Sequence, residues 1–109
     1  MPGKFLAEFE LYVMLAVARL GDDAYGAAIR DEIEGRVNRP VSIGALYATL
    51  HRLGSKQLVR FEEEADSGRS GRARKYVFLT AEGREALEHS TAMLHRMMDG
   101  VAPATGGRR

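Results

Sequence analysis

Apolar residues recur at helical spacing in four stretches of the chain and at alternating positions in two more. The clearest helical stripe follows steps of three and four residues through Ile43, Leu46, Leu50 and Leu53. It predicts an amphipathic helix that begins after Ser42 and runs to about Lys56. Ser42 suits the N-cap position, because its hydroxyl can accept an amide hydrogen that a helix start leaves unpaired.

The same periodicity predicts three further helices. The first, Leu6 to Leu20, is apolar on almost every side, which indicates burial on more than one face. Either a second chain or a central position in a monomer core would provide that burial. The second runs from about Ala24 to Val37, with Asp22 or Asp23 as its cap, and ends at Asn38-Arg-Pro40. The last follows Thr80 as cap and continues to about Met98.

Two stretches alternate as strands do. They are Leu58 to Glu64 and Arg74 to Leu79, and we expect Val59, Phe61, Tyr76 and Phe78 to face the core. A loop rich in Gly, Ser and Arg, residues 65–73, joins them. The predicted fold is therefore mainly α with a small β-hairpin, in the order of a winged helix-turn-helix.

Charge is distributed unevenly along a chain whose net charge is only +1. Residues 41–60 and 67–76 contain basic residues and no acidic one, whereas the acids lie elsewhere. Local basic patches of this kind are what a DNA-binding surface needs, since phosphate contacts are local. An alternative for part of the second patch is cross-strand pairing of residues 72–75 with Glu62 to Glu64.

The exposed face of the Ser42–Lys56 helix supports DNA binding further. It is small, polar or basic, with no acid, so that it can approach a polyanion closely. Ala48 could contact a thymine methyl group, and hydroxyls could donate to phosphates. The helix supplies Ser42, Gly44, Tyr47, Ala48, Thr49, His51, Arg52 and Lys56 as candidate DNA-binding residues. The hairpin supplies Arg69, Arg72, Arg74 and Lys75. For Tyr47, core packing is an equally good interpretation.

The last helix carries more apolar surface than one small domain can bury. Its apolar residues form two rows along the helix, and these rows predict a dimer interface. The first helix would contribute Phe9 to this interface. The residues are Phe9, Leu87, Met93, Leu94, Met97 and Met98. We therefore divide the chain into a DNA-binding domain (1–80), a dimerisation helix (81–99) and a tail (100–109). A chain of 109 residues gains stability from such association.

Composition argues against several other classes of protein. The chain has no cysteine, which excludes disulfides, thiolate chemistry and cysteine-based zinc sites. His51, His89 and His95 lack the spacing of a metal site, and no catalytic motif is present, so we expect no metal, no cofactor and no enzyme. No signal peptide or membrane-length apolar run is found, which predicts a cytoplasmic protein.

Four stretches together resemble the PadR family of bacterial transcriptional regulators, in its short form with one C-terminal dimerisation helix. The resemblance spans about residues 6–90, nearly the whole fold. The four stretches are Leu20-Gly-Asp-Asp-Ala-Tyr-Gly-Ala-Ala-Ile29, Val41-Ser-Ile-Gly-Ala-Leu-Tyr-Ala-Thr-Leu-His-Arg-Leu53, Gly71-Arg-Ala-Arg-Lys-Tyr-Val-Phe-Leu-Thr80 and Gly83 to Leu87. The second and third are specific, whereas the first and last would be weak alone.

The resemblance implies a homodimeric repressor on a pseudo-palindromic operator, with Tyr47 and its basic neighbours at the DNA. It also implies that a small-molecule effector could bind at the dimer interface, although the tryptophan that some relatives use is absent. Two positions depart from the family pattern, which has Glu at Gly54 and Gly at Gln57. Gln57 must then adopt an unfavourable backbone conformation, or the turn must shift. The competing hypothesis is a winged-helix module that binds protein, which the basic loop disfavours.

Overall fold

The computed structural model describes residues 6–65 and 73–101. Its helices are α1 (Glu8–Leu20), α2 (Gly26–Val37), α3 (Ile43–Ser55) and α4 (Ala81–Met98), and its strands are β1 (Val59–Ala65) and β2 (Ala73–Leu79). The predicted fold class is confirmed. Each of the first two helices starts two residues later than predicted, and this difference is within the ordinary uncertainty of helix ends.

The core lies where α1 is packed by α2, α3, α4 and the hairpin. Val13 and Met14 of α1 are completely buried, as are Ile29 of α2 and Leu46 and Leu53 of α3. Helix α1 is therefore buried along one side within a single chain. Leu15, with 40% of its surface exposed, and Ala18 remain exposed on this helix.

The cap predicted for α2 is wrong. Asp22 and Asp23 form a separate 3₁₀ turn with Gly21, and Tyr25 occupies the N-cap position without a side-chain cap hydrogen bond. The end of α2 is as predicted: Asn38 takes the left-handed conformation, and its amide donates to the carbonyl of Glu34. Asparagine tolerates this conformation better than most residues.

The hairpin faces the core with a different set of side chains from the one predicted. Phe61 lies opposite Val77 and Val59 lies opposite Leu79, so these four residues share one face. Tyr76 and Phe78 lie on the other face, and each is partly buried. The prediction was wrong by one residue in β2, because Tyr76 packs its ring edge-on against Tyr25 and Phe78 packs under the guanidinium of Arg60. Both aromatic residues of β2 therefore lie on the face opposite that of Val77 and Leu79.

The hairpin is joined to the start of α2 as well as to the core. The amide of Val77 donates to the carbonyl of Ala24 at 2.8 Å, and Tyr25 forms an isolated bridge with Tyr76. These contacts hold the hairpin beside α3, which is the arrangement of a winged helix-turn-helix.

Candidate nucleic-acid interface

Helix α3 presents the exposed face that its sequence predicts. Gly44, Ala48, His51 and Ser55 are all exposed, whereas Leu46, Leu50 and Leu53 on the opposite side are at most 3% exposed. Ile43 was predicted to belong to the buried stripe but is 43% exposed, because the first turn of α3 projects beyond the core. The helix is thus anchored along one side and open along the other.

Ser42 caps α3 as predicted. Its hydroxyl oxygen accepts a hydrogen bond from the amide of Ala45 at 3.2 Å, and Ser42 itself is exposed. The hydroxyl proton is not used in this bond, so the capping serine can still donate a hydrogen bond to a ligand.

Tyr47 contacts helix α2 and is also exposed to solvent. A Cβ atom placed on Gly26 would lie 2.2 Å from the Tyr47 hydroxyl oxygen, so the hydroxyl rests directly on the first residue of α2. The residue is nevertheless 53% exposed. Gly26 therefore permits a close approach of α3 to α2 that places the phenol at the open edge of the helix, beside a cleft that His51, Phe61 and Lys75 also line.

Thr49 lies inside the protein. It is 2% exposed, and its hydroxyl oxygen accepts a hydrogen bond from Nη2 of Arg52 at 3.1 Å. A contact between this hydroxyl and a DNA phosphate has no support in this geometry. Helical spacing places Thr49 near the polar face of α3. It does not reveal that Thr49 is buried and that its hydroxyl is paired with Arg52, one turn away.

Arg52 and Lys56 converge on a single buried carboxylate of α1. Oε2 of Glu10 lies 3.0 Å from Nζ of Lys56 and 3.7 Å from Nε of Arg52. Oε1 of the same carboxylate accepts from the amide of Ala7 at 3.0 Å. Burial acts to raise the pKa of Glu10, but the Ala7 hydrogen bond and the two cations outweigh it and hold this pKa below its ordinary value. Glu10 is therefore a buried anion with two cationic partners.

Strand β2 carries its two basic residues on opposite faces. Arg74 places its guanidinium 4.2 Å from the ring centre of Tyr25, and Lys75 places Nζ 5.5 Å from the ring centre of Phe61. Both residues are exposed, and their strand register sets them opposite Glu64 and Glu63. Arg69 and Arg72 lie outside the described residues.

Comparison with known proteins decides the family. The model of the transcriptional regulator PadR-like family matches residues 14–89, which is most of the chain. The chain belongs to the PadR-like family. Among curated proteins, no sequence matches this PadR-like chain.

Solved structures agree with this assignment. A PadR family transcriptional regulator from Eggerthella lenta DSM 2243 is 33% identical, with a TM-score of 0.65 over 85% of this chain and 83% of that one. RosR of H. salinarum is 27% identical, with a TM-score of 0.70 over 89% of this chain and 81% of that one. F93 from STIV, described as a winged-helix DNA-binding protein, is 23% identical with a TM-score of 0.71 over 89% of this chain and 98% of that one. The last likeness concerns the fold alone.

The PadR-like chain is thus a transcriptional regulator of winged-helix type. Its family and its structural relatives are regulators rather than enzymes. Within residues 6–65 and 73–101, no group of His, Asp or Glu is arranged to hold a metal ion. In the same part of the chain, no helix is both long enough and apolar enough to cross a bilayer.

Helix α4 of this PadR-like chain leaves the core part-way along its length. Leu87 is 7% exposed and belongs to the core of its own chain, whereas Leu94 is 49% exposed and Met98 is 58% exposed. These three residues follow one stripe at steps of seven and four. Met97 is 77% exposed, and Met93 and Phe9 are partly buried. The apolar stripe therefore continues beyond the part of the chain that covers it.

Glu10 is a residue of the candidate site that the sequence did not reveal. The sequence pattern predicts a first helix that is apolar on almost every side and gives this carboxylate no role. Its partner Lys56 is 46 residues away, a separation for which no periodicity rule exists. The only local signal is an acidic residue in the first turn of a mostly apolar helix, and Glu8 is a second acidic residue in the same turn.

Proposed function

We propose that this PadR-like protein is a homodimeric transcriptional repressor that binds a pseudo-palindromic operator in double-stranded DNA. Helix α3 would enter the major groove, and the hairpin with its loop would contact the adjacent backbone. The observation that carries the proposal is the face of α3 formed by Gly44, Ala48 and His51. It is exposed and free of acidic residues, while the opposite side of the same helix is buried.

The chemistry of this face suits a base-reading surface. Gly44 and Ala48 have little bulk, which permits close approach to base edges, and the Ala48 methyl can contact a thymine methyl group. Ser42 and Tyr47 are exposed residues in the first half of the helix, and their hydroxyls would donate to phosphates there. Arg52, whose side chain is 55% exposed, lies further along and would contact phosphate.

The wing contribution rests on the basic residues of the hairpin and its loop. Arg74 and Lys75 are exposed on two faces of β2, and we add Arg69 and Arg72 of the loop to the proposed contact. Such contacts position a protein on DNA and strengthen binding to any sequence.

Dimerisation is proposed from the free end of α4. Leu94, Met97 and Met98 together form an apolar surface on a helix whose earlier turns are buried in the chain. A second copy would cover this surface and would set two α3 helices at a fixed spacing, as a two-fold operator requires. A small-molecule effector would enter at this interface, where Met93 and Met97 provide adaptable apolar surface. A regulator of this kind would act in the cytoplasm.

The test is selection of bound sequences from random duplex DNA at two salt concentrations. Recovery of a two-fold-related motif, with affinity that falls steeply as salt rises, is the expected result. Absence of enrichment, with no salt-sensitive binding to duplex DNA, would overturn the proposal.

A further inference from the structure

A buried carboxylate lies directly behind the end of helix α3. Glu10 is 4% exposed, and its position on α1 places it on the protein side of Arg52 and Lys56. A buried carboxylate is costly to leave without a cationic partner, because little solvent reaches it. At least one of the two cations must therefore stay with Glu10 whenever the protein is folded.

The two cations are held differently. Nζ of Lys56 forms a hydrogen bond with Oε2 of Glu10 at 3.0 Å, and 39% of the lysine side chain is exposed. Nε of Arg52 lies further from the same oxygen, at 3.7 Å, and 55% of the arginine side chain is exposed. The Arg52 guanidinium is also oriented by its hydrogen bond to the Thr49 hydroxyl. Lys56 is the closer partner of the carboxylate, and Arg52 is the more accessible cation.

We propose that Glu10 retains Lys56 and so limits the end of α3 to one phosphate-binding cation, Arg52. This inference rests on the proposed DNA-binding function. Glu10 then acts as a positioning residue that sets, through its neighbours, the charge available to DNA phosphates, without touching DNA.

The consequence for DNA binding follows from the charge of the three groups. Two cations and one anion offer the DNA a single net positive charge, and contacts between cations and phosphates contribute to binding of every sequence. Base contacts from Gly44, Ala48 and their neighbours do not depend on this charge. Glu10 therefore lowers the affinity for the operator and for unrelated DNA by a similar factor, and it makes both less dependent on salt.

The test compares Glu10→Gln with the wild-type chain on a duplex of random sequence, by fluorescence anisotropy over a series of KCl concentrations. Glu10→Gln frees the second cation, so affinity should rise and the dependence of log K on log salt should steepen by about 0.9 per chain. A purely structural role for Glu10 would instead lower the affinity through loss of folded protein.

Two further variants provide charge-matched controls. Glu10→Gln combined with Lys56→Gln removes the anion and its retained cation together, and its salt dependence should equal that of the wild type. Lys56→Gln alone leaves Arg52 as the only partner of Glu10 in this trio, and its salt dependence should be flatter than that of the double variant. The circular dichroism spectrum of each variant is recorded first to establish that it is folded.

The outcomes separate the inference from the function on which it rests. Equal salt dependence for Glu10→Gln and wild type would overturn the inference. If Glu10→Gln does not fold, Lys56→Gln is compared with the wild type instead, and equal salt dependence for these two would overturn the inference, because Glu10 would then not have taken Arg52 as its partner. Failure of the wild-type chain to bind duplex DNA at low salt would instead overturn the proposed function itself.

Discussion

Gly83 lies in direct contact with the backbone carbonyl of Leu58. A Cβ atom built on Gly83 would be 1.9 Å from that oxygen, which no side chain could tolerate. The carbonyl oxygen also accepts a hydrogen bond from the amide of Thr80 at 3.1 Å, and the Thr80 hydroxyl donates to the carbonyl of Gln57 at 2.7 Å. The first turn of α4 is therefore fastened to the turn that links α3 to β1.

Replacement of Gly83 by Ala should destabilise the protein strongly. The new methyl group would collide with backbone atoms rather than with the flexible end of a side chain, so α4 would have to move away. We expect a loss of about 3 kcal/mol in the free energy of unfolding, measured by urea denaturation. Gly35→Ala is the matched control: Gly35 is also helical but meets no atom within 4 Å, so alanine should stabilise by about 0.5–1 kcal/mol. Equal effects at the two positions would contradict the close contact.

Replacement of Gln57 by glycine should stabilise the protein. The φ of 65° at Gln57 lies in the left-handed region, where a Cβ atom is unfavourable, and the Gln57 side chain is exposed. Gln57→Gly should raise the free energy of unfolding by about 0.5–1 kcal/mol after the greater flexibility of the unfolded chain is allowed for. Asn38, with φ of 59°, is the control, because asparagine already tolerates this region and Asn38→Gly should gain less. A loss of stability in Gln57→Gly would refute the strain.

These two positions illustrate what the sequence could predict. The family pattern singled out Gln57 as a departure, and the structure confirms the unfavourable backbone conformation that follows from it. The second departure, Gly54, does not end α3, which continues to Ser55. A Cβ on Gly54 would lie 2.9 Å from the Phe61 ring, so the glycine accommodates the ring. That contact joins two elements and leaves no local trace in the sequence.

In the candidate site, too, the sequence predicts some features and not others. Periodicity predicted which side of α3 is exposed, because burial of Leu46, Leu50 and Leu53 follows from helix geometry alone. It could not predict the inward turn of Thr49 or the pairing of Lys56 with Glu10, since both depend on tertiary contacts. It also assigned Leu87 to a dimer surface, although this residue is buried in the core of its own chain.

Because of Glu10, the stability of the folded protein should depend on pH in the acidic range. The pKa of Glu10 is lowered in the folded protein, so ionised Glu10 contributes stability above the ordinary carboxyl pKa, and this contribution is lost as pH falls through the folded value. At about pH 7, Glu10→Gln should cost about 1.5–3 kcal/mol, the range for hydrogen bonds to charged groups. The difference from wild type should shrink as pH falls, as measured by thermal unfolding at several pH values. The exposed Glu85→Gln should show almost no difference at any pH, and a constant deficit for Glu10→Gln would contradict the ionic origin of the effect.

Leu94→Asp should abolish the proposed dimer with little effect on the fold of each chain. Leu94 is 49% exposed in the single chain, so the charge would remain hydrated in a monomer but would be buried without a partner in a dimer. Ala92→Asp adds the same charge two residues away, about 140° around α4 from the Leu87 stripe, and should leave association unchanged. Sedimentation velocity distinguishes the two outcomes. A Leu94→Asp protein that sediments as a dimer would refute this use of α4.

Removal of two wing charges should weaken binding to every DNA sequence to a similar extent. Arg72→Ala combined with Arg74→Ala would remove phosphate contacts, which carry no sequence information, so the salt dependence should flatten by about 0.9 for each lost contact per chain. The ratio of operator to unrelated affinity should stay nearly constant, as it should for Glu10→Gln, whose affinities change in the opposite direction. Arg74 also packs on the ring of Tyr25, so thermal unfolding of the variant must be measured beside its affinity. Arg96→Ala, at an exposed position in the last turn of α4, removes a positive charge outside the proposed contact and should leave the salt dependence unchanged. Equal slopes for the wing variant and Arg96→Ala would remove the hairpin loop from the DNA interface.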